Sequence, residues 1–397
     1  MAELSTTAAA PPARPPIWND PRYRAIFFQV VVLILILLGF AYIGNNTVQN
    51  LERQGIASGF GFLQTTAGFS VSMSLIEYSE EHSYGRAFLV GFLNTILVSA
   101  VSIVFASILG LIIGIARLSR NWLIARMAMV YIEVLRNIPL LLQIFFWYFA
   151  VLRALPSPRN SASLFDMIFL NNRGIITPAP VFEEGFWLVA AALGIAIVAV
   201  VIIARWAHQR QERTGQQFHT VYVSLALLIG LPLLAAALAG FPLSWSFPEL
   251  QGFNFRGGVG LIPEFVALML ALSMYTAAFI AEIVRAGILA VSHGQTEAAY
   301  AVGLRPGPTL RLVIIPQASR VIIPPLTSQY LNLTKNSSLA AAIAYPDLVL
   351  VFAGTALMQT GQAVEIMGIT MGIYLLISLL ISAFMNWYNQ KMALVER

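Results

Sequence analysis

The 397-residue sequence contains no cysteine, and charged residues make up only 10% of it. Without cysteine, a disulfide framework and a thiolate metal site are both excluded. The histidines do not have the spacing of metal ligands; they are His82, His208, His219 and His293. No G-x-x-x-x-G-K-[ST] segment occurs, so we expect no ATP and no other cofactor to bind to this chain.

Hydrophobic residues are abundant, at 58% of the chain. A soluble domain does not need that much apolar surface, whereas a protein that crosses the membrane several times does. The formal net charge is +5, and its basic residues are scattered between apolar runs. We therefore attribute the charge to membrane topology and expect membrane lipid, not nucleic acid, as a partner.

Long apolar runs predict an all-α polytopic membrane protein with about eight transmembrane helices. The predicted spans are 25–43, 87–116, a segment within 127–152, 185–204, 221–240, 262–290, 312–333 and 365–388. In the second span, Gly110 and Gly114 form a small-xxx-small pattern that favours close helix packing.

The same runs predict the domain organisation. Cytoplasmic tails occupy 1–24 and 391–397, a first helix and its external loop occupy 25–85, and a transmembrane domain occupies 86–390. With the amino terminus inside, most of the Lys and Arg residues that flank spans are cytoplasmic, which predicts that both termini are cytoplasmic. The external loops are then 45–86, 153–184 and 241–261.

The most polar segment in the last third of the chain predicts a short helix outside the bilayer. Ser292 and Gln295 have the spacing of a capping box, and Glu297 lies in the early turns, where the helix dipole favours a negative charge. Gly303 is suited to end the helix in a left-handed conformation. We expect a helix of about ten residues, roughly 15 Å long, on the cytoplasmic side.

Residues 297–316 read E-A-A, three residues, G, nine residues and V-I-I-P. This pattern resembles the EAA loop of ATP-binding-cassette (ABC) importer permeases, which ends in I-x-L-P, with mild departures at Val313 and Ile315. In that family the helix is a coupling helix that docks on a separate ATPase subunit. The resemblance implies that the ATPase-coupling residues are Glu297, Ala298, Ala299, Gly303 and Pro316.

Polar residues also interrupt the predicted spans. Glu133 and Arg136 are spaced to neutralise each other on one helix face, and Pro139 is expected to kink or break that helix. Glu282 and Arg285 repeat the arrangement in the sixth span. A local ion pair near the interface is an equally good interpretation of Glu133 and Arg136, and Lys335 in the seventh span can instead reach the outer interface.

Three stretches around these residues resemble polar amino-acid permeases of the ABC importers: R-N-I-P-L-L-L-Q at 136–143, the segment 275–288, and L-T-K-N-S-S-L at 333–339. Ionisable groups within spans are functional candidates, and a broken helix can accommodate a zwitterion. The candidate translocation-path or gating residues are Glu133, Arg136, Pro139, Gln143, Glu282, Arg285, Lys335, Asn336 and Ser337.

The resemblance covers most of 86–390 and is to the histidine/glutamine type of permease. An inserted helix pair at about 185–240 and the sequence G-F-N-F-R-G-G at 252–258 resemble the Q-type subunit of general L-amino-acid permeases. This implies the type I importer permease fold in a bacterial inner membrane, with no covalent chemistry on this chain. The implied partners are ABC ATPase subunits that carry ATP and Mg, a paralogous second permease, a periplasmic amino-acid-binding protein and an L-amino-acid substrate.

Two other classes of function are open at this point. An ion-gradient-driven secondary amino-acid transporter would need no ATPase, but its expected inverted repeats are not evident in the sequence. A membrane scaffold without transport activity would leave the EAA spacing and the charges within spans unexplained.

Overall fold

The computed structural model describes residues 21–53 and 58–392. The helices are α1 (Pro21–Arg53), α2 (Tyr84–Arg117), α3 (Trp122–Asn137), α4 (Leu140–Phe145), α5 (Phe186–Thr214), α6 (Thr220–Leu238), α7 (Pro263–Leu289), α8 (His293–Ala301), α9 (Pro306–Thr309), α10 (Ile315–Asn336), α11 (Leu357–Thr360) and α12 (Ala363–Met392). Most of the two predicted tails lies outside the described residues, at 1–20 and 393–397.

Shorter helical segments connect these helices. The 3-10 helices are Gly61–Gln64, Pro158–Asn160 and Ser337–Ile343, and the π-helices are Phe146–Leu152, Leu310–Ile314 and Val349–Ala356. The strands are β1 (Ala162–Leu164), β2 (Ile168–Asn171), β3 (Gly174–Thr177), β4 (Ala179–Phe182), β5 (Leu243–Ser246), β6 (Glu249–Gln251), β7 (Asn254–Arg256) and β8 (Val259–Leu261).

The described residues contain six helices that are long and apolar enough to cross a membrane, rather than about eight. They are α2, α5, α6, α7, α12 and the segment Tyr23–Thr47 of α1. The predicted span within 127–152 is not one straight helix, because α3 and the following α4 with its π-helix are bent by 106°; counted together, this pair is a seventh span.

The predicted span at 312–333 is helical but does not have the apolar character expected of a span. Most of it is α10, which carries Gln317, Arg320 and two prolines, Pro324 and Pro325. This helix packs against α7 and α12. Polar residues are tolerated on such a helix because protein, and not only lipid, surrounds it.

Two glycines bring α2 and α7 into close contact. A Cβ atom added to Gly110 would lie 2.5 Å from Cγ2 of Ile280, and one added to Gly114 would lie 2.7 Å from the carbonyl oxygen of Ala281. No side chain fits at these distances, so the backbones approach each other as the small-xxx-small pattern predicted.

The contacts also fix the relative direction of α2 and α7. Near the middle of the helices, the Ser273 hydroxyl donates to the Ser102 carbonyl at 3.4 Å. Further along both helices, Gly114 meets Val284. Because residue numbers increase in the same direction along both helices at these contacts, the two helices are parallel. The turn after α2 and the α8 helix after α7 therefore lie at the same end of the bundle.

Residues 58–83 form a packed cap and not an open loop. Phe62 and Ala67 are buried against Tyr84, Phe352 and Ile366. The amide of Gly59 donates to Oε1 of Glu365 at 2.6 Å, which ties this segment to the start of α12.

The two later loops, 153–184 and 241–261, contain β-structure that the sequence analysis did not predict. Strands β1, β2, β3 and β8 form an antiparallel sheet in that order, so the second loop completes the sheet of the first. Strands β4 and β5 pair with each other and directly flank the α5–α6 pair. The extra helices are thus inserted between two paired strands.

Gly114→Ala is expected to destabilise the protein by about 1–3 kcal/mol, because its new methyl group overpacks the contact with the Ala281 carbonyl. Gly372→Ala in α12 is the matched control, since nothing lies within 4 Å of the added Cβ. The measurement is the midpoint of thermal unfolding in detergent. Equal midpoints for the two variants would contradict the close α2–α7 contact.

Candidate functional site

The predicted short helix is confirmed as α8, which has nine residues. Gly303 ends it with a φ of +82°, in the left-handed region, and the Leu304 amide donates to the Ala299 carbonyl at 3.0 Å. Such a pattern satisfies carbonyls at a helix end that would otherwise lack partners.

The predicted capping box at the start of α8 is wrong. The Ser292 side chain makes no capping hydrogen bond. Gln295 uses its side-chain oxygen to accept from Nε2 of Gln317 on α10, at 3.2 Å, and so it does not reach back to residue 292. A contact with a neighbouring helix has replaced the local cap, and it links α8 to α10.

The predicted coupling residues differ in exposure. Glu297, Ala298 and Gly303 are exposed, and the Glu297 carboxylate lies 3.0 Å from Nδ1 of His293. Ala299 is only 5% exposed, so it packs α8 onto the chain and offers no surface to a partner.

Pro316 is half-buried at the first turn of α10. Its position is separate from the exposed face of α8, where Glu297 and Ala298 lie. Pro316 therefore belongs to the start of the helix that α8 contacts through Gln317.

Pro139 breaks the helix as predicted, since α3 ends at Asn137 and α4 begins at Leu140. Gln143 is buried and spans this break. Its Nε2 donates to the carbonyl oxygens of Leu135 and Ile138, both at 2.9 Å. The glutamine thus satisfies carbonyls that the broken helix leaves without intrahelical partners.

The predicted pair of Glu133 and Arg136 does not form. Glu133 accepts from Nδ2 of Asn137, through its backbone carbonyl at 2.7 Å and its carboxylate at 3.4 Å. The Arg136 guanidinium lies 5.1 Å from the ring centroid of Phe279 on α7. A cation–π contact with another helix directs Arg136 away from Glu133.

The predicted pair of Glu282 and Arg285 does form. The Arg285 Nε donates to both carboxylate oxygens, at 3.1 and 3.0 Å, and Nη2 donates to one of them. This ion pair lies towards the end of α7 that leads into α8.

The helix of the seventh predicted span is interrupted as expected, at Lys335, Asn336 and Ser337. The α-helix ends at Asn336 and a 3-10 helix follows. Lys335 is exposed, whereas Ser337 is buried and donates to the Thr334 carbonyl at 2.7 Å. Since α10 starts near α8, these residues lie farther from it than the pair of Glu282 and Arg285, and the two groups do not form one site.

A buried polar network, not predicted from the sequence, joins α2 to the turn before the last π-helix. Nδ2 of Asn94 donates to the carbonyls of Met73 and Pro346, at 2.8 and 2.9 Å. The backbone carbonyl of Asn94 accepts from the Tyr345 hydroxyl at 3.0 Å. Asp347 is fully buried and accepts from the Leu350 amide at 2.9 Å. A polar residue within an apolar run was the signal that could have identified both.

Gln143→Leu is expected to destabilise the α3–α4 junction by about 1–3 kcal/mol, because two carbonyls lose their donor in an apolar environment. Exposed Gln209 on α5 provides the matched control, Gln209→Leu. Hydrogen exchange of 133–145, together with the thermal midpoint, is the measurement. Unchanged exchange in the Gln143 variant would contradict the bridging role.

Comparisons with known proteins identify relatives of this chain among membrane components of transport systems. The family model described as "Binding-protein-dependent transport system inner membrane component" matches residues 219–394. The general L-amino acid transport system permease protein AapQ of Rhizobium johnstonii is 58% identical over 95% of this chain and 94% of its own length.

Two further relatives cover the chain to the same extent. The putative amino-acid ABC transporter permease protein YhdX of Escherichia coli is 57% identical over 95% of this chain and 96% of its own length. The glutamate/glutamine/aspartate/asparagine transport system permease protein BztB of Rhodobacter capsulatus is 46% identical over the same shares. This chain therefore belongs to the family of amino-acid ABC transporter permeases, a family of multi-pass membrane proteins.

Proposed function

We propose that this chain is the permease subunit of an ATP-driven importer that moves L-amino acids from the periplasm to the cytoplasm. Permeases of this family work with a separate ATPase and a second permease subunit. The observation that carries the proposal for this chain is α8, a short exposed helix that follows α7 and is joined to α10 through α9 and the π-helix Leu310–Ile314. The chain itself performs transport and no covalent chemistry.

The ATPase is proposed to dock on the exposed face of α8. Ala298 and Gly303 have little or no side chain, so a partner can approach the backbone of the helix closely. Glu297 supplies a single exposed negative charge on that face. Buried Ala299 fixes the helix on the chain, so that a force applied to α8 is transmitted and not lost in local motion.

Transmission is proposed to follow the two helices attached to α8. Gln295 connects α8 to α10 through Gln317, and the pair of Glu282 and Arg285 lies within the last two turns of α7. Closure of two ATPases on ATP and Mg would draw two such coupling helices together. The ends of α7 and α10 would then move and open the path to the other side.

The substrate class rests on the relatives, whose names specify general L-amino acids or the acidic amino acids and their amides. We infer a bacterial inner-membrane location with both termini in the cytoplasm. The parallel arrangement of α2 and α7 supports this orientation, since it puts the basic turn after α2 and α8 at one end. A paralogue is the proposed second permease.

A periplasmic amino-acid-binding protein is the proposed partner at the opposite end. The packed cap at 58–83 and the hydrogen-bonded sheet of β1, β2, β3 and β8 provide ordered surface there. The amino-acid-loaded binding protein would favour one conformational state of the helix bundle, and ATP would favour the other state, so that transport requires both ligands.

Glu297→Lys is expected to abolish recovery of the ATPase when the tagged chain is purified from its own membranes in mild detergent. The charge reversal acts directly on the proposed docking face. Glu212→Lys on α5 is the matched control, because that carboxylate is similarly exposed. The readout is the ratio of ATPase to tagged chain by quantitative mass spectrometry. Equal ratios for the wild type and both variants would show that α8 is not the docking helix.

Glu282→Gln is expected to reduce amino-acid uptake several-fold while ATPase recovery stays at the wild-type level. The substitution removes the charge that holds Arg285 but leaves α8 unchanged. The exchanged pair Glu282→Arg with Arg285→Glu should regain part of the uptake. Wild-type uptake by the single variant would show that the pair is only a local structural contact.

A further inference from the structure

We propose that the turn between α2 and α3 binds the phosphodiester headgroup of an anionic membrane lipid. A cavity of about 170 Å³ opens at this turn. Its lining residues are Arg117, Trp122, Ala125, Arg126 and Met129. The cavity contributes to neither the coupling face of α8 nor the break at Pro139, so it needs a separate explanation.

The positive charge of the cavity is not neutralised by the residues that the structure describes. The ion pairs among those residues are His208–Glu212, Glu282–Arg285 and His293–Glu297. None of them involves Arg117 or Arg126, and 117–132 contains no acidic residue. Arginine guanidinium groups bind phosphate oxygens through paired, charge-assisted hydrogen bonds, so a phosphodiester would supply the missing negative charge.

The walls of the cavity favour a lipid over a soluble phosphate. The lining residue Trp122 is 75% exposed, and Leu123 and Met127, which do not line the cavity but belong to the same helix, are 57% and 65% exposed. Tryptophan is enriched at the level of lipid headgroups, where its ring contacts acyl chains and its polar edge contacts water. Basic pockets with apolar surroundings at the cytoplasmic side of helix bundles are suited to anionic headgroups.

The site adjoins the helices that are proposed to transmit movement from α8. Gly114, one turn before Arg117, contacts Val284 on α7. A lipid phosphate on Arg117 would therefore lie beside the α2–α7 contact, and the anionic lipid content of the membrane would influence the end of α7 that leads into α8.

The test is native mass spectrometry of the purified full chain after incubation with cardiolipin, phosphatidylglycerol or phosphatidylcholine. Arg117→Gln with Arg126→Gln is the test variant. The control variant is Arg120→Gln with Arg205→Gln, which removes two positive charges, as the test variant does. Arg120 lies in the same turn and Arg205 lies in α5, and neither residue lines the cavity. We expect anionic lipid retention to fall about tenfold or more in the test variant only, and phosphatidylcholine retention to stay low throughout.

Three outcomes would overturn the proposal. Equal cardiolipin and phosphatidylglycerol retention by the test and control variants would show that binding depends only on overall charge. Displacement of the lipid by millimolar inorganic phosphate would identify a site for free phosphate. A test variant that keeps its lipid but loses the ATPase would identify the turn as a protein contact. The experiment does not depend on transport, so it is independent of the proposed function.

Discussion

The close approach of α2 to α7 is the contact on which the remaining structure depends. Lipid is as apolar as a leucine side chain, so helices in a membrane gain little from hydrophobic burial and associate through close packing. Gly110 and Gly114 allow that packing, and a side chain at either position would force the backbones apart. Because the two helices are parallel, their adjacent ends bring the pair of Glu282 and Arg285, the basic turn after α2 and the attachment of α8 to one end of the bundle. The coupling region therefore owes its location to a helix contact and not to a local sequence signal.

A second constraint is that backbone groups within a membrane must find partners inside the protein. This chain breaks its helices at Pro139 and again at Ser337, and buried polar side chains bond carbonyls at the first break and in the turn after the 3-10 helix that follows the second. Gln143 donates to the carbonyls at the first break, and Asn94 holds the turn that follows the second. These residues are buried, which assigns them to maintaining the bent path of the chain. Exposed residues, among them Lys335 and Glu297, are available to a substrate or partner.

Much of the fold and part of the site could be predicted from the sequence, for identifiable reasons. Apolar runs located the long spans, and glycine and proline located the ends of α8 and α3. Prediction failed where the deciding contact comes from another element. The spacing of Glu133 and Arg136 permits a pair, but Phe279 on α7 attracts the guanidinium, and Gln317 on α10 removes Gln295 from its cap. Likewise, β3 pairs with β8, far away in the chain, and strands of three or four residues carry too little pattern to reveal that pairing.

The central claim is that movement of α8, driven by a separate ATPase, opens a path for amino acids. The most direct test is uptake of a labelled L-amino acid into proteoliposomes that contain this chain with its ATPase and second permease. The account predicts uptake only when ATP is present on the α8 side and the loaded binding protein on the other. Uptake by this chain alone, in ATP-free liposomes under an ion gradient, would contradict the account and identify a secondary transporter.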